Sequence, residues 1–258
     1  QKRPCVSSCK VKAITVGEDK KAVIDNKKCI ACGACVYQCP FGAIVDKSMI
    51  MESIAILKDA EMKGTHVYAV IAPSIVSQFK YAKIEQVVTG IRKLGFHQVV
   101  EAALGADITL YHEAEEWKEK GILTTSCCPS FVMFVEKNFP ELAKYVSHSV
   151  SPMVEAAMLI KQGIADVAKE MGVEGVKPIA MNGIDECRAA LTKLKFNKAT
   201  ENFFEGMACD GGCLNGALCL NHGPKNVVDV DKYGASAKEK TIDNSVKLYK
   251  LSLGESGE

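Results

Sequence analysis

Thr-Ser-Cys-Cys-Pro at residues 125–129 is the stretch that decides the fold, together with Met-Ala-Cys-Asp-Gly-Gly-Cys at residues 207–213. Adjacent cysteines before a proline, and a Cys-x3-Cys with glycines inside it, are difficult to explain as core packing, although free cysteine does pack well in cores. Thiolates at these positions suit a metal cluster held where two separate loops meet. Gly211 and Gly212 would let the backbone approach such a cluster closely.

The composition indicates a metal-binding protein without a polyanionic partner. The 258 residues are 48% hydrophobic, which suffices for one large domain and a small one. Lys+Arg 32 against Asp+Glu 31 gives a net charge of +1, so we expect no nucleic-acid partner. The 12 cysteines fall into groups typical of metal sites rather than of disulfides. No secretory segment and no bilayer-spanning apolar run is visible, so we expect a cytoplasmic protein without membrane contact.

The N-terminal 46 residues contain the cysteine run of bacterial ferredoxins. The spacing is Cys-x2-Cys-x2-Cys-x3-Cys-Pro, with the cysteines at Cys29, Cys32, Cys35 and Cys39. In such a run the fourth cysteine binds the other cluster of a two-cluster module. Cys9 would therefore complete the first [4Fe–4S] cluster from a partner motif, Cys5-x3-Cys9. Zinc is the alternative for the complete motif, but the final Cys-Pro favours iron–sulfur.

The second cluster would use Cys5 and Cys39, and two further cysteines should lie upstream. Because the chain opens at Gln1 without a starting methionine, we expect either a truncated N-terminus or a cluster with atypical ligands. Residues 1–46 leave little room for a hydrophobic core, so bound metal should supply much of their folding free energy.

The rest of the chain alternates between helical and strand patterns. Strands are predicted at 66–72 (buried) and near 97–100, 122–125 and 176–180, and helices at 47–63, 80–94, 107–120, 130–138, 152–171, 184–195 and 235–252. This alternation predicts an α/β architecture with a largely parallel sheet.

The loops at 125–129 and 207–213 resemble the first and third signature loops of the [FeFe]-hydrogenases, T-S-C-C-P and M-A-C-x-x-G-C. The resemblance runs from about Cys5 to Tyr233, and features such as Phe131 are similar to the family's monomeric group B. It implies an α/β [FeFe]-hydrogenase catalytic domain at 47–258, with parallel sheets flanked by helices. A small ferredoxin-like α+β domain at 1–46, with two [4Fe–4S] clusters, would precede it.

The resemblance also implies an H-cluster, a [4Fe–4S] cube bridged through one cysteine to a di-iron centre with CO, cyanide and azadithiolate ligands. Cys128 and Cys209 match cube ligands, and Cys213 matches the bridging thiolate. Cys127 matches the thiol that passes protons to the di-iron centre. The surroundings of that centre are matched by Ala72, Pro73, Ser74, Met153 and Met207, although Ser74 is also explained as a plain turn residue.

A proton relay gives a separate expectation, because a buried metal site needs titratable or hydroxyl groups leading to solvent. Glu113 and Glu116 fall one turn apart on a predicted helix. They match the two carboxylates of the family's relay, and Ser147 matches its hydroxyl. The order would be Cys127, Glu113, Ser147, Glu116, with Glu115 exposed and uninvolved. The alternative is that the glutamates form a solvated helix face.

The resemblance breaks at the family's second loop, P-C-x-x-K-K-x-E, which supplies a fourth cube cysteine and a lysine. No such string occurs here, and it is expected to be missing near Lys161 and Gln162. Either a segment is lacking from the printed chain at that point, or the gene has lost the loop. Cys187 and Cys219 are interpreted as free thiols rather than substitutes.

The resemblance implies an oxidoreductase that interconverts protons plus electrons with H2, typical of an anaerobe. Ferredoxin or flavodoxin would be the electron carrier, and hydrogenase maturation proteins would insert the di-iron centre. The alternative is a non-catalytic hydrogenase-like protein, either an H2 or redox sensor or an Fe–S carrier or assembly protein.

Overall fold

The computed structural model describes residues 3–162 and 177–237, which fall into two compact units. The first unit contains residues 3–46, 115–148 and 177–224. The second contains residues 47–114, 149–162 and 225–237. The two-domain division at 46/47 stays a prediction, and residues 3–46 cluster in the first unit with two later stretches.

The N-terminal part of the first unit is a small α+β arrangement. Its elements are α1 (Pro4–Ser8), β1 (Ile14–Val16), β2 (Ala22–Ile24) and α2 (Ala34–Tyr37). Strands β1 and β2 pair antiparallel, with Ile14 opposite Ile24. Such short elements cannot build a core alone, which agrees with a unit that depends on metal and on packing against the rest of the chain.

A three-stranded parallel sheet forms the centre of the first unit. Its strands are β5 (Leu123–Thr124), β6 (Pro178–Asn182) and β7 (Phe203–Met207), in the order β5-β7-β6. Its helices are α6 (Pro129–Asn138) and α8 (Ile184–Lys195), with a 3₁₀ turn at Pro140–Tyr145. Gly206 in β7 leaves space for the ring of Phe131, since a Cβ at this position would overlap that ring.

The main hydrophobic core lies around this sheet. Fully buried members include Phe131, Phe134, Phe204 and Leu191. Ile30, which stands between Cys29 and Cys32, is 1% exposed and belongs to the same cluster. The cysteine-rich N-terminal segment is therefore anchored in this core by a side chain of its own motif.

The second unit contains a parallel pair of strands with helices. Its elements are α3 (Ile50–Lys63), β3 (Tyr68–Ile71), α4 (Ile84–Lys93), β4 (Gln98–Glu101), the start of α5 (Ala102–Lys120), α7 (Pro152–Gln162) and α9 (Lys225–Ser236). Strands β3 and β4 pair in parallel, with Tyr68 opposite Gln98. Helix α3 ends at Gly64, whose φ of 64° is in the left-handed region.

The predicted α/β class with parallel sheets is confirmed, but several elements differ from the prediction. Strand β7, the middle strand of its sheet, and helix α9 were not predicted. Strand β3 was predicted to be buried and is only half-buried. The predicted helix over 235–252 and the end of that over 152–171 lie outside the described residues. In the described part of the chain, no helix is long and apolar enough to cross a membrane.

Candidate functional site

The first cysteine group is shaped by backbone geometry around the ferredoxin run. Ala31 and Gly33 both adopt positive φ, 55° and 74°, so the loop curls before α2 begins. The Ala31 amide donates to Cys29 Sγ at 3.4 Å, and the Ala13 amide donates to Cys9 Sγ at 3.1 Å. Amide donors aimed at cysteine sulfur are what an iron–sulfur cluster needs, because they stabilise thiolate charge.

The thiols of this group interact electrostatically with one another. Burial raises the pKa of Cys32, although a backbone hydrogen bond from Ala34 lowers it in part. Charges on Cys9 and Cys29 raise the pKa further. Burial also raises the pKa of Cys35, followed by the charge on Cys32. Cys9, Cys29, Cys32 and Cys35 therefore form one neighbourhood, the set predicted for the first cluster.

Cys5 and Cys39 line a separate cavity of about 730 Å³ in the N-terminal segment. The Ala43 amide donates to Cys39 Sγ at 3.2 Å. Hydrogen bonds from the backbone of Phe41, Ile44 and Ala43 lower the pKa of Cys39. The pair predicted for the second cluster thus lines one cavity, and the backbone of residues 41–44 lowers the pKa of Cys39.

The loops at 125–129 and 207–213 meet in the first unit. Cys128 is the N-cap of α6, and the second loop begins at the end of β7. Gly211 and Gly212 adopt φ of 80° and 72°, and a Cβ on Gly212 would lie 2.7 Å from Asn182 Oδ1. The loop therefore requires glycine for its conformation and its packing.

Electrostatic interactions connect the cysteines of these two loops. Cys213 is exposed as a whole residue, yet desolvation of its thiol raises its pKa to about 11, helped by charges on Cys128, Cys127 and Cys209. Burial raises the pKa of Cys209, although a backbone hydrogen bond from Ala217 lowers it in part. The charge on Cys128 is the largest of the charges that raise the pKa further. The structure thus brings together the cysteines that the resemblance assigned to one centre.

The thiols fit a cluster better than a single ion. Among the described residues, no three His, Cys, Asp or Glu side chains converge closely enough to hold one metal ion. In a [4Fe–4S] cube each thiolate binds a different iron atom, so its ligands surround a volume rather than a point. Amide donors, curled loops and grouped thiols fit that requirement in both places.

Two further cysteines lie nearby. Cys187 is fully buried in α8, with its Sγ 3.7 Å from the carbonyl oxygen of Met207, and burial raises its pKa to about 12. Cys219 is partly exposed, and its Sγ lies 3.6 Å from the carbonyl oxygen of Cys213.

Ser147 and Glu116, which are predicted for the proton relay, are hydrogen-bonded to each other. Ser147 Oγ donates to Glu116 Oε2 at 2.8 Å, the His148 amide donates at 3.0 Å, and Lys120 Nζ lies 2.6 Å from Oε1. Burial works to raise the pKa of Glu116, but these hydrogen bonds and the Lys120 charge outweigh it and hold the pKa below its ordinary value. Glu113, one turn earlier on α5, is 4% exposed. Neither carboxylate is fully exposed, and their role in a proton relay stays a prediction.

The residues expected around the di-iron centre are distributed between the two units. Ala72, Pro73 and Ser74 lie in the second unit, where β3 passes into a 3₁₀ turn at Pro73–Ser77. Met153 is 63% exposed in the first turn of α7 of that unit. Met207 ends β7 in the first unit, with its Sδ 3.3 Å from a Cβ placed on Gly212. Their roles remain predictions.

The two cysteine sites of the first unit adjoin each other. A Cβ on Gly33, in the ferredoxin run, would lie 2.7 Å from Ala217 Cβ, and the rings of Tyr37 and His222 stack at 4.1 Å. The charge on Cys32 also contributes to the raised pKa of Cys209. Sequence reasoning missed Tyr37 and His222, because their pairing joins residues far apart in the chain.

Grouped thiols and amide donors at two adjoining places define an iron–sulfur protein. The model of the "Iron only hydrogenase large subunit, C-terminal domain" matches residues 65–173 and 162–217, and that of the "4Fe-4S binding domain" matches residues 22–45. The first match covers more than half of the chain, which therefore belongs to the iron-only, or [FeFe]-, hydrogenase family.

Individual relatives agree with this assignment. Iron hydrogenase 1 of Clostridium pasteurianum is 32% identical over 190 residues, covering 52% of this chain and 33% of the relative. The cytosolic Fe-S cluster assembly factor NAR1 of Yarrowia lipolytica is 35% identical over 79 residues, 30% of this chain and 16% of the relative. A solved variant of [FeFe]-hydrogenase HydA1 from Chlamydomonas reinhardtii has a TM-score of 0.56 at 16% identity, over 79% of this chain and 94% of that chain. The structural likeness establishes the fold.

The chain aligns with a third or less of the length of the first curated relatives. The 190-position alignment with the Clostridium enzyme uses only 52% of the 258 residues here, about 134, so the relative has several tens of residues without a counterpart. The family match is also split into two segments that meet at 162–173. That the second loop is lacking near residues 161 and 162 stays a prediction.

Proposed function

We propose that the protein is a hydrogenase that interconverts protons plus electrons with H2. Electrons would pass through the N-terminal [4Fe–4S] site to a cube held by Cys128, Cys209 and Cys213. When bound, the complete H-cluster would supply the metal centre at which H2 is formed or split. The partners would be a ferredoxin or flavodoxin as electron carrier and the maturation proteins that install the di-iron centre.

The observation that carries this proposal is the close approach of the ferredoxin run to the Cys209–Cys213 loop. Gly33 packs against Ala217 without room for a side chain, and Tyr37 stacks on His222. Lys137 of α6 reinforces the arrangement, since its Nζ donates to the carbonyl oxygen of Cys29 at 2.5 Å. Electron transfer between two clusters needs such a short and fixed separation, whereas two independent metal sites do not.

The proton route would use the chain's own side chains. Glu116 is hydrogen-bonded to Ser147, and Lys120 keeps its carboxylate charged. A carboxylate at 13% side-chain exposure can exchange protons with solvent on one side and with a buried hydroxyl on the other. Buried Glu113 and the thiol of Cys127 would extend the route inward.

The test is H2 evolution from reduced methyl viologen by protein that has been expressed with the maturation proteins. The proposal predicts H2 together with infrared bands of CO and cyanide. Cys127→Ala should keep these bands and lose most of the turnover. Wild-type protein with intact iron–sulfur clusters, no bands and no H2 would contradict the proposal.

A second candidate function is a cluster-binding role without a di-iron centre. It is favoured by the missing second loop, which removes a lysine from the centre, and by the 35% identity with an Fe-S cluster assembly factor. This candidate predicts clusters that assemble and transfer to an acceptor apoprotein without any CO or cyanide band. Infrared spectroscopy therefore separates the two candidates.

A further inference from the structure

The catalytic cube of the proposed function has only three assigned thiolates, Cys128, Cys209 and Cys213. A [4Fe–4S] cube needs four ligands, and the family's loop that would supply the fourth is missing from this chain. The chain itself offers two unassigned cysteines near these three, Cys187 and Cys219. The following inference rests on the proposed function, because it concerns the same cube.

The loop after Cys213 folds back on itself and is held by hydrogen bonds. The Gly216 amide donates to the carbonyl oxygen of Cys213 at 3.2 Å, and the Cys219 amide donates to that of Gly216 at 2.9 Å. His222 Nε2 lies 2.9 Å from the Gly216 oxygen. These successive turns return Cys219 to Cys213, so that its sulfur contacts the backbone of an assigned ligand.

The far end of the loop is also closed. The Gly223 amide donates to Asn215 Oδ1 at 2.9 Å. Between these contacts, Ala217 fills the space against Gly33 of the ferredoxin run. Cys219 is thus held close to both assigned ligands of this loop, because its Sγ contacts the backbone of Cys213 and it interacts electrostatically with Cys209.

Cys187 lacks the properties of a ligand. Its side chain is 0% exposed among core residues, and its Sγ lies within hydrogen-bonding reach of two carbonyl oxygens, those of Met181 and Met207. A thiol in that position is already engaged as a weak hydrogen-bond donor to the backbone. Cys219 instead has one such contact and is partly exposed, so its sulfur is not enclosed among core side chains and carbonyl oxygens.

We propose that Cys219 is the fourth thiolate of the catalytic cube and replaces the cysteine of the missing second loop. The stretch from Cys209 to Gly223 is then a ligand-bearing loop in which Cys209, Cys213 and Cys219 bind three different irons. Cys128 binds the fourth from the N-terminus of α6.

The test compares iron content and ⁵⁷Fe Mössbauer spectra of wild type, Cys219→Ala, Cys187→Ala and Cys128→Ala. Cys128→Ala provides the reference for loss of the catalytic cube, and Cys187→Ala is the matched control for removal of an unassigned thiol. The iron content of Cys219→Ala should fall by at least one iron per chain and by no more than the loss seen in Cys128→Ala. Its Mössbauer spectrum should show a three-iron signal after mild oxidation. Cys187→Ala should keep the wild-type iron content.

A second variant separates ligand loss from misfolding. Cys219→Ser offers an oxygen ligand and should retain more iron than Cys219→Ala at an equal circular dichroism signal. Wild-type iron content and spectra in Cys219→Ala would overturn the inference, as would equal iron loss in Cys187→Ala. If wild type held no more iron than Cys128→Ala, the cube itself would be absent, and the proposed function would fail together with this inference.

Discussion

Replacing Glu116 with glutamine tests the relay without changing the size of the side chain. Glu116 accepts hydrogen bonds from Ser147 Oγ and the His148 amide and pairs with Lys120. Glutamine keeps one acceptor oxygen but removes the charge from all of these contacts. Glu115→Gln on the same helix is the matched control, because Glu115 is 46% exposed at its side chain and is paired with Lys118 at 3.1 Å.

The two substitutions should differ clearly in how much they lower the free energy of unfolding. A hydrogen bond to a charged group contributes about 1.5–3 kcal/mol, and the amide retains part of this network, so Glu116→Gln should lower the free energy of unfolding by about 2–3 kcal/mol. An exposed ion pair one turn apart contributes about 0.5 kcal/mol or less, so Glu115→Gln should be nearly neutral.

The sign of the pH dependence follows from the lowered pKa of Glu116. Its stabilising effect is fully present above the ordinary carboxyl value of 4.5 and is lost as the pH falls through the lower folded value. In urea unfolding followed by circular dichroism, the difference between wild type and Glu116→Gln should be full at neutral pH and should shrink only in the acid range. Equal costs for Glu115→Gln and Glu116→Gln at neutral pH would refute the reasoning.

Three further predictions follow from the same structure. Cys32→Ser should remove up to about four irons per chain and slow electron entry, and unchanged iron content with an unchanged reduced-cluster EPR signal would contradict the assignment. Cys127→Ala should leave the catalytic cube in place while Cys128→Ala prevents its assembly, and identical iron counts in the two variants would show that their roles do not differ. Gly206→Ala should lower the free energy of unfolding by about 2–3 kcal/mol, because the added Cβ would overlap the ring of Phe131. Its control is Gly90→Ala on the exposed helix α4, where a Cβ would meet nothing within 4 Å; it should raise the free energy of unfolding by about 0.5–1 kcal/mol. Equal effects of the two variants in urea unfolding would refute the packing argument.

Local patterns predicted most of the secondary structure. Helix α8 agrees with the prediction at both ends, and helix α3 ends at Lys63 as predicted, followed by Gly64 as a left-handed cap. These elements have clear helical periodicity or a glycine whose conformation ends the helix.

Elements whose pattern was weak were missed. Strand β7 contains Glu205 and Gly206 among apolar residues, so its alternation is broken, and its place in the middle of the sheet depends on pairing with distant strands. Helix α9 carries Val227, Val228 and Val230, whose branching disfavours helix in local terms. Tertiary packing decides both cases.

The cysteines of the candidate site were predicted from their spacing in the sequence, whereas the contacts between its parts are visible only in the structure. The grouping of Cys9 with the ferredoxin run followed from the motif. The contact of Tyr37 with His222, and the partners Lys120 and His148 of Glu116, join residues whose relation depends on the folded backbone. A sequence motif cannot predict contacts of this kind, because it describes only residues that are close in the chain.

The central claim is that a ferredoxin-like cluster and a catalytic cube lie side by side in one unit. The most direct measurement is the EPR spectrum of the reduced protein, compared with the spectra of two variants. Cys32→Ser should lose the first N-terminal cluster and keep the cube of the later loops, whereas Cys128→Ala should lose that cube and keep the first N-terminal cluster. Magnetic coupling between adjoining clusters predicts that the wild-type spectrum is broadened and split relative to the sum of the two variant spectra. A wild-type spectrum equal to that sum would contradict the account.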